Sequence, residues 1–233
     1  MRRLLAAATV LVSLLVVACG GDTDAGVTRG PASAPLVALT FDDGLNGETT
    51  RQVADLLEQA GMQGTFFVVG QTVEEQASLA RALLEHGHVI GNHSYDHERA
   101  QADDREYAEL GRAEAEFRRV LGVCPRYFRP PYGTETRYTK AAVRGAGMRT
   151  ILWDVEVADW SEDDAARLAQ HVLERVRPGS VVLLHDGSDG HPGADRTVLL
   201  RALPTILEGL RAKGLRSVGV DELLGERPYL ASC

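Results

Sequence analysis

The chain has 233 residues, 44% of them apolar and 25% charged, which suits one mid-sized domain with a sizeable core. Its formal charge is −8, from 33 acidic against 25 basic residues, and no basic stripe interrupts the acidity. That balance argues against nucleic acid and anionic polymers as partners and fits a neutral glycan better.

The N-terminus differs from the rest. Arg2 and Arg3 precede an apolar run from Leu4 to Ala18, broken only by Thr9 and Ser13. These are the n-region and h-region of a secretory signal, short for a membrane span and followed at once by polar residues. The signal ends in Val16-Val17-Ala18-Cys19, then Gly20-Gly21-Asp22, which resembles a bacterial lipobox. An ordinary signal peptide that happens to contain a cysteine is the alternative. The lipobox reading predicts a signal over 1–18, lipidation at Cys19, a tether over 19–35, and an enzyme held on the outer face of the cell membrane. Loss of Arg2 and Arg3 with the signal moves the formal charge from −8 to −10.

From residue 36 short β-rich runs alternate with longer amphipathic stretches. The pattern predicts strands at Leu36–Phe41, Thr65–Val69, Val89–Gly91, Tyr127–Phe128, Thr150–Trp153, Ser180–Leu184 and Ser217–Val220. It predicts helices over 47–60, 72–86, 103–121, 135–146, 162–176 and 197–213. Gly61, Gly87, Gly147 and Gly214 fall where helices should stop, and Ser161 reads as an N-cap before an acidic first turn. Residues 227–233 read as a tail. Seven strands alternating with helices predict a single α/β domain with a parallel sheet over 36–226; an open doubly wound sheet and a closed barrel fit this pattern equally. In an exported protein Cys124 and Cys233 are candidates for a disulfide, although sequence alone does not bring them together.

Polar clusters sit just after the apolar runs. They are Thr40-Phe41-Asp42-Asp43-Gly44, His93-Ser94-Tyr95-Asp96-His97, Arg129-Pro130-Pro131-Tyr132-Gly133, Asp159-Trp160 and Leu183-Leu184-His185-Asp186. If the strands share one sheet, the loops after them send these groups to one face. Adjacent Asp42 and Asp43 reach a common site only if the chain turns there, which Gly44 permits. His93 and His97, four apart, can chelate one ion from a compact loop; a surface turn with unrelated histidines is the plainer reading. Two prolines stiffen the Arg129 loop and leave Tyr132 as the first backbone N–H after them. Asp154, Glu156 and Asp159 lie in a run between Trp153 and Trp160, whose plain reading is an amphipathic edge with the tryptophans in the core. His86 and His88 read as bystanders, and His191 as incidental on a rim loop over 188–195.

The order and wording of these clusters resemble the polysaccharide deacetylase family, the NodB-like carbohydrate esterases. The resemblance covers about residues 36–224, with Leu45-Asn46 standing where a proline is usual. It implies a distorted (β/α)7 barrel. It implies that Asp43, His93 and His97 hold one divalent metal, best Zn²⁺ with Co²⁺ as a substitute. Asp42 is then the base and His185 the acid, with Arg129 bracing the base and Asp159 orienting and tuning the histidine; Asp154 and Glu156 compete for that role, and Asp159 is preferred because it directly precedes the tryptophan, as in the family motif. The Tyr132 N–H stabilises the oxyanion, and Trp160 and Leu183 wall the acetyl pocket. The implied reaction is metal-assisted removal of N-acetyl groups from a cell-wall or chitin-like polysaccharide. Two other readings stand beside it: an O-acetyl esterase on acetylated xylan, and a non-catalytic surface lipoprotein that binds glycans. Sequence leaves the oligomeric state open, with a monomer favoured.

Overall fold

The structure is a computed structural model that describes residues 25–233. The signal and Cys19 lie outside the described residues. The elements run β1 (Leu36–Asp42), α1 (Glu48–Gln59), β2 (Gly64–Val68), α2 (Ala77–Glu85), β3 (Val89–Asn92) and α3 (Ala108–Leu121). They continue with β4 (Tyr127–Phe128), α4 (Arg137–Gly145), β5 (Arg149–Thr150), β6 (Val155–Glu156), α5 (Ala165–Arg175) and β7 (Val181–His185). The last are α6 (Thr197–Ala212), β8 (Arg216–Ser217) and α7 (Val220–Leu224).

The strands form one curled sheet in the order β5-β4-β3-β2-β1-β7-β6, with β8 paired to the start of β1. Every paired strand is parallel. From Val37 onward β1 is buried at every position, because helices cover one side and the barrel interior the other. The main core packs Phe41, Phe66 and Val182 against Leu57 of α1, Phe117 of α3 and Leu203 and Ile206 of α6. This is the distorted (β/α)7 barrel that the sequence implies, in a single domain.

The sheet does not close by strands alone. Val27 N donates to Thr150 O at 2.9 Å, and Leu152 N donates to Val27 O at 2.8 Å. Three residues later Gly30 N donates to Gly179 O at 2.8 Å, just before β7, and Arg29 pairs with Asp154 at 2.9 Å. Residues 25–30, read from sequence as part of a tether, therefore run along the gap between the β5 edge and the entrance to β7. The segment read as a tail is also fixed. Leu230 N donates to Cys124 O at 2.8 Å, Tyr229 Oη accepts from Ile90 N at 3.1 Å, and Cys124 and Cys233 form a disulfide with Cα atoms 5.3 Å apart.

Three local expectations are corrected. The fifth strand is Arg149–Thr150 rather than Thr150–Trp153, because Ile151 pairs with Val27 and the chain then leaves for a separate strand, β6, beside β7. The helix after the tryptophans starts later than expected. Its N-cap is Asp164, whose carboxylate accepts from Ala166 N and Arg167 N, while the Ser161 hydroxyl donates to Ala158 O. The run expected as strand Ser217–Val220 ends at Ser217, and Val220 opens α7. Gly61, Gly87, Gly147 and Gly214 do end helices, at φ of 64°, 82°, 69° and 70°.

Candidate active site

Sheet register explains why the clusters meet. Asp42 and His185 are direct cross-strand partners at the ends of β1 and β7. Phe128 pairs with Asn92, so Arg129 and His93 leave neighbouring strands together, and Arg129 N donates to Asn92 O at 2.9 Å. The result is a cleft of about 410 Å³ lined by Asp42, Asp43, His93, His97, Tyr132, Trp160, Leu183 and His185. Trp153, Glu156, Asp189 and Arg196 also line it; sequence reasoning gave Trp153, Asp189 and Arg196 no role in the site and weighed Glu156 only as a partner for the histidine.

The turn that sends Asp42 and Asp43 to one place is made by Asp43 itself, at φ 70°. Gly44, expected to supply that turn, is not in the left-handed region. It is needed for space, since a Cβ there would collide with the Asp186 carboxylate. Asp43, His93 and His97 are all buried, and one ligand atom from each lies within 4.8 Å of the others. His93 Nε2 is 3.3 Å and His97 Nε2 3.0 Å from Asp43 Oδ1. His93 Nδ1 is 2.7 Å from Arg129 O, so it donates there and leaves Nε2 as the free lone pair. The histidines come from a compact loop rather than a helix. Ser94 Oγ accepts from His97 N at 3.0 Å, and Asn92 Oδ1 accepts from Ser94 N at 2.9 Å. Two imidazole nitrogens and one carboxylate, packed this closely with an open cleft above, fit a divalent ion of the zinc type.

Arg129 is fully buried among fixed acceptors. Its Nη1 donates to Asp42 Oδ1 at 2.6 Å and to Thr40 Oγ1 at 2.7 Å, and its other nitrogens reach Ile151 O and Leu152 O at 3.1 Å each. Asp42 Oδ1 is thereby pinned while Oδ2 faces His93 at 3.7 Å. His185, at the end of the neighbouring strand β7, donates twice to Asp159, from the backbone N and from Nδ1, both at 2.8 Å. Neither competing acid reaches that histidine: Asp154 accepts from Val181 N, and Glu156 from Trp153 Nε1. Trp160 stands edge-on to His185 with ring centroids 5.0 Å apart and stays half exposed, so it is a wall of the cleft and not a core tryptophan.

Charges reinforce the geometry. Burial works against the imidazolium of His185, but the Asp159 hydrogen bond and charge outweigh it, with Asp42 and Asp43 adding, and its pKa rises to about 9. Burial likewise opposes the Asp43 carboxylate, yet hydrogen bonds from His93 and His97 hold it well below the usual carboxylate range. Behind the site Asp186 is pushed up to about 7, first by burial and then by Asp43 and Asp42, against a hydrogen bond from the Thr50 hydroxyl.

The Arg129 loop makes a tight turn in which Gly133 N bonds Pro130 O and Thr134 N bonds Pro131 O. The Tyr132 N–H is not used by those bonds, and Tyr132 takes φ 58°. His86 and His88 lie apart from the cleft, both against Glu58.

Comparison with known proteins agrees with this architecture. The family described as polysaccharide deacetylase matches residues 29–151. The chain is 34% identical over 196 residues to a peptidoglycan-N-acetylglucosamine deacetylase of Bacillus cereus, covering 83% of this chain and 70% of that one. It superposes with a TM-score of 0.80, at 30% identity, on a peptidoglycan N-acetylglucosamine deacetylase crystallised with 4-naphthalen-1-yl-N-oxidanyl-benzamide, covering 87% of this chain and 94% of that one. A family 4 acetyl xylan esterase from Clostridium thermocellum, in complex with a cobalt ion, superposes with a TM-score of 0.73 at 30% identity, over 81% and 89% of the two chains. The chain therefore belongs to the polysaccharide deacetylase family, and it is a hydrolase of that class.

Proposed function

We propose that this enzyme removes N-acetyl groups from peptidoglycan or a chitin-like glycan, with one divalent metal held by Asp43, His93 and His97. The carrying observation is the pairing of that three-donor cluster with a braced carboxylate, Asp42, on one side and an Asp159-held imidazole, His185, on the other. When bound, the ion supplies Lewis-acid polarisation of the acetyl carbonyl and a lowered pKa for water. Zn²⁺ suits the donors best, and Co²⁺ is the natural substitute.

The protein's own groups do the rest. Arg129 occupies Asp42 Oδ1 and leaves Oδ2 to accept the proton of the attacking water. The Tyr132 N–H, unused by its own turn, donates to the developing oxyanion. Asp159 holds His185 Nδ1, so Nε2 points its proton toward the leaving nitrogen. As the C–N bond breaks the nitrogen takes that proton, giving acetate and a free amino sugar. Leu183 and Trp160 pack the acetyl methyl. The exported, lipid-anchored location expected from Cys19 would set the enzyme beside the cell wall, acting as a monomer.

The similarity to an acetyl xylan esterase favours one second reading, O-deacetylation, for which the same groups suffice because only the leaving atom changes. Acetate release from peptidoglycan, chitooligosaccharide and acetylated xylan by the metal-loaded protein separates the two. Turnover on the N-acetylated polymers above that on xylan supports the proposal. Release from xylan alone overturns it.

A further inference from the structure

The two metal-facing histidines are oriented by different means. A histidine ligand needs an acceptor at its far nitrogen to fix the tautomer and the ring plane. For His93 the acceptor is a backbone oxygen, Arg129 O, at 2.7 Å. His97 has no such bond: its Nδ1 is buried and makes no well-aligned hydrogen bond among the described residues. One polar group lies close, the carboxylate of Asp189, whose Oδ1 is 2.8 Å from that nitrogen. Asp189 comes from the rim loop after β7, far in sequence from His97. The same oxygen accepts from the Tyr132 hydroxyl at 3.2 Å, and the Tyr132 ring stands edge-on to His97 with centroids 4.8 Å apart. Arg99 caps the arrangement, its guanidinium 4.0 Å from the centre of the Tyr132 ring.

We infer that Asp189 is a positioning residue that fixes the ring of His97 for metal binding and ties the Tyr132 loop to that ligand. A small adjustment aligns the Nδ1–H with the carboxylate and leaves Nε2 as the free lone pair. The rim loop then carries part of the metal affinity, although it donates no ligand. Because Tyr132 Oη shares the same carboxylate oxygen, the loop that carries the Tyr132 N–H is held in register with the metal site. The inference rests on the metal-dependent reading above.

The test is metal affinity, read by competition with a chromophoric chelator, alongside the visible spectrum of the Co²⁺-loaded protein. Wild type, Asp189→Asn, Asp189→Ala and His97→Ala are compared, with folding checked by circular dichroism. Asp189→Ala should bind Zn²⁺ about 10- to 100-fold more weakly, the range found when such outer acceptors are lost. Its Co²⁺ bands should shift as the His97 ring reorients. Asp189→Asn keeps an acceptor oxygen and should fall between the two. His97→Ala should lose more affinity than either, which shows that the measurement reports this site. A folded Asp189→Ala protein with wild-type affinity and an unshifted Co²⁺ spectrum overturns the inference alone. A wild type that takes up no stoichiometric metal overturns the proposed function and this inference with it.

Discussion

Asp159→Asn is the substitution that best isolates how His185 is made an acid. The carboxylate accepts from both the backbone N and Nδ1 of His185, so an asparagine can keep the ring in place through one oxygen while losing the charge. His185 stands at about 9 against an ordinary 6.5, and Asp159 provides the two largest upward contributions against burial. A rise of that size corresponds to about 3 kcal/mol of preference for the imidazolium. A bound dication offsets Asp42 and Asp43, so in the loaded enzyme the alkaline limb should fall between 6.5 and about 9. Without the Asp159 charge, burial is opposed much less. The limb of kcat/KM should then move down by roughly one to two pH units, which is a loss of about 10- to 100-fold at alkaline pH with much less loss at pH 6. The assay is kcat/KM against pH on an N-acetyl substrate, with metal content checked in both proteins. An unmoved limb with activity lowered equally at every pH would refute the electrostatic role and leave Asp159 as a structural anchor.

Three further outcomes follow from the same structure. Arg129→Leu removes the partner of a buried carboxylate and strands the acceptors at Thr40, Ile151 and Leu152, so urea unfolding should show a loss of about 3–5 kcal/mol; a loss under about 1 kcal/mol would mean that Asp42 is not held as an ion pair. Asp186, raised to about 7 in the fold, keeps its proton there between about pH 4 and 7 while the unfolded chain releases it. The stability of the metal-free protein should therefore fall as pH rises through that window, and Asp186→Asn should flatten the slope; an identical slope in the variant would rule Asp186 out as its source. The Cys124–Cys233 bridge closes a separation of 109 residues, so Cys124→Ser should lower stability by about 2–4 kcal/mol in calorimetry, and an unchanged Tm would show that the bridge does not constrain the unfolded chain.

The parts of the fold written in local pattern were legible in the sequence. β1 and β7 are apolar runs buried on both faces, and the four glycines expected to stop helices all take positive φ there, so both announce themselves. The β5–β6 region did not, because each strand has only two residues and the apolar signal of Ile151 is spent on pairing with Val27. That contact also explains why residues 25–30 read as tether: a short segment with glycine at 26 and 30 gains its order from the two sheet ends it touches, and no local period records that. The site shows the same division. Asp42, Asp43, His93, His97, Arg129, Asp159 and His185 follow strand ends in a recognisable order; the structure brings Asp42, Asp43, His93, His97 and His185 to one cleft and buries Arg129 and Asp159 behind it, against Asp42 and His185. Asp189 and Asp186 were missed because their meaning depends on what lies across the cleft or beneath it. Gly44 was given the wrong reason, since the turn belongs to Asp43 and the glycine makes room for Asp186.

The division of labour between the adjacent carboxylates tests the central claim most directly. Metal stoichiometry and kcat are measured together for wild type, Asp42→Asn and Asp43→Asn, with elemental analysis of each protein. The account predicts that Asp42→Asn keeps one metal per chain and loses turnover, because only the proton acceptor is gone. Asp43→Asn should lose the metal itself, with activity returning in part at high Zn²⁺ or Co²⁺. Equal metal loss in both variants, or full activity in a wild-type sample shown to be metal-free, would contradict it.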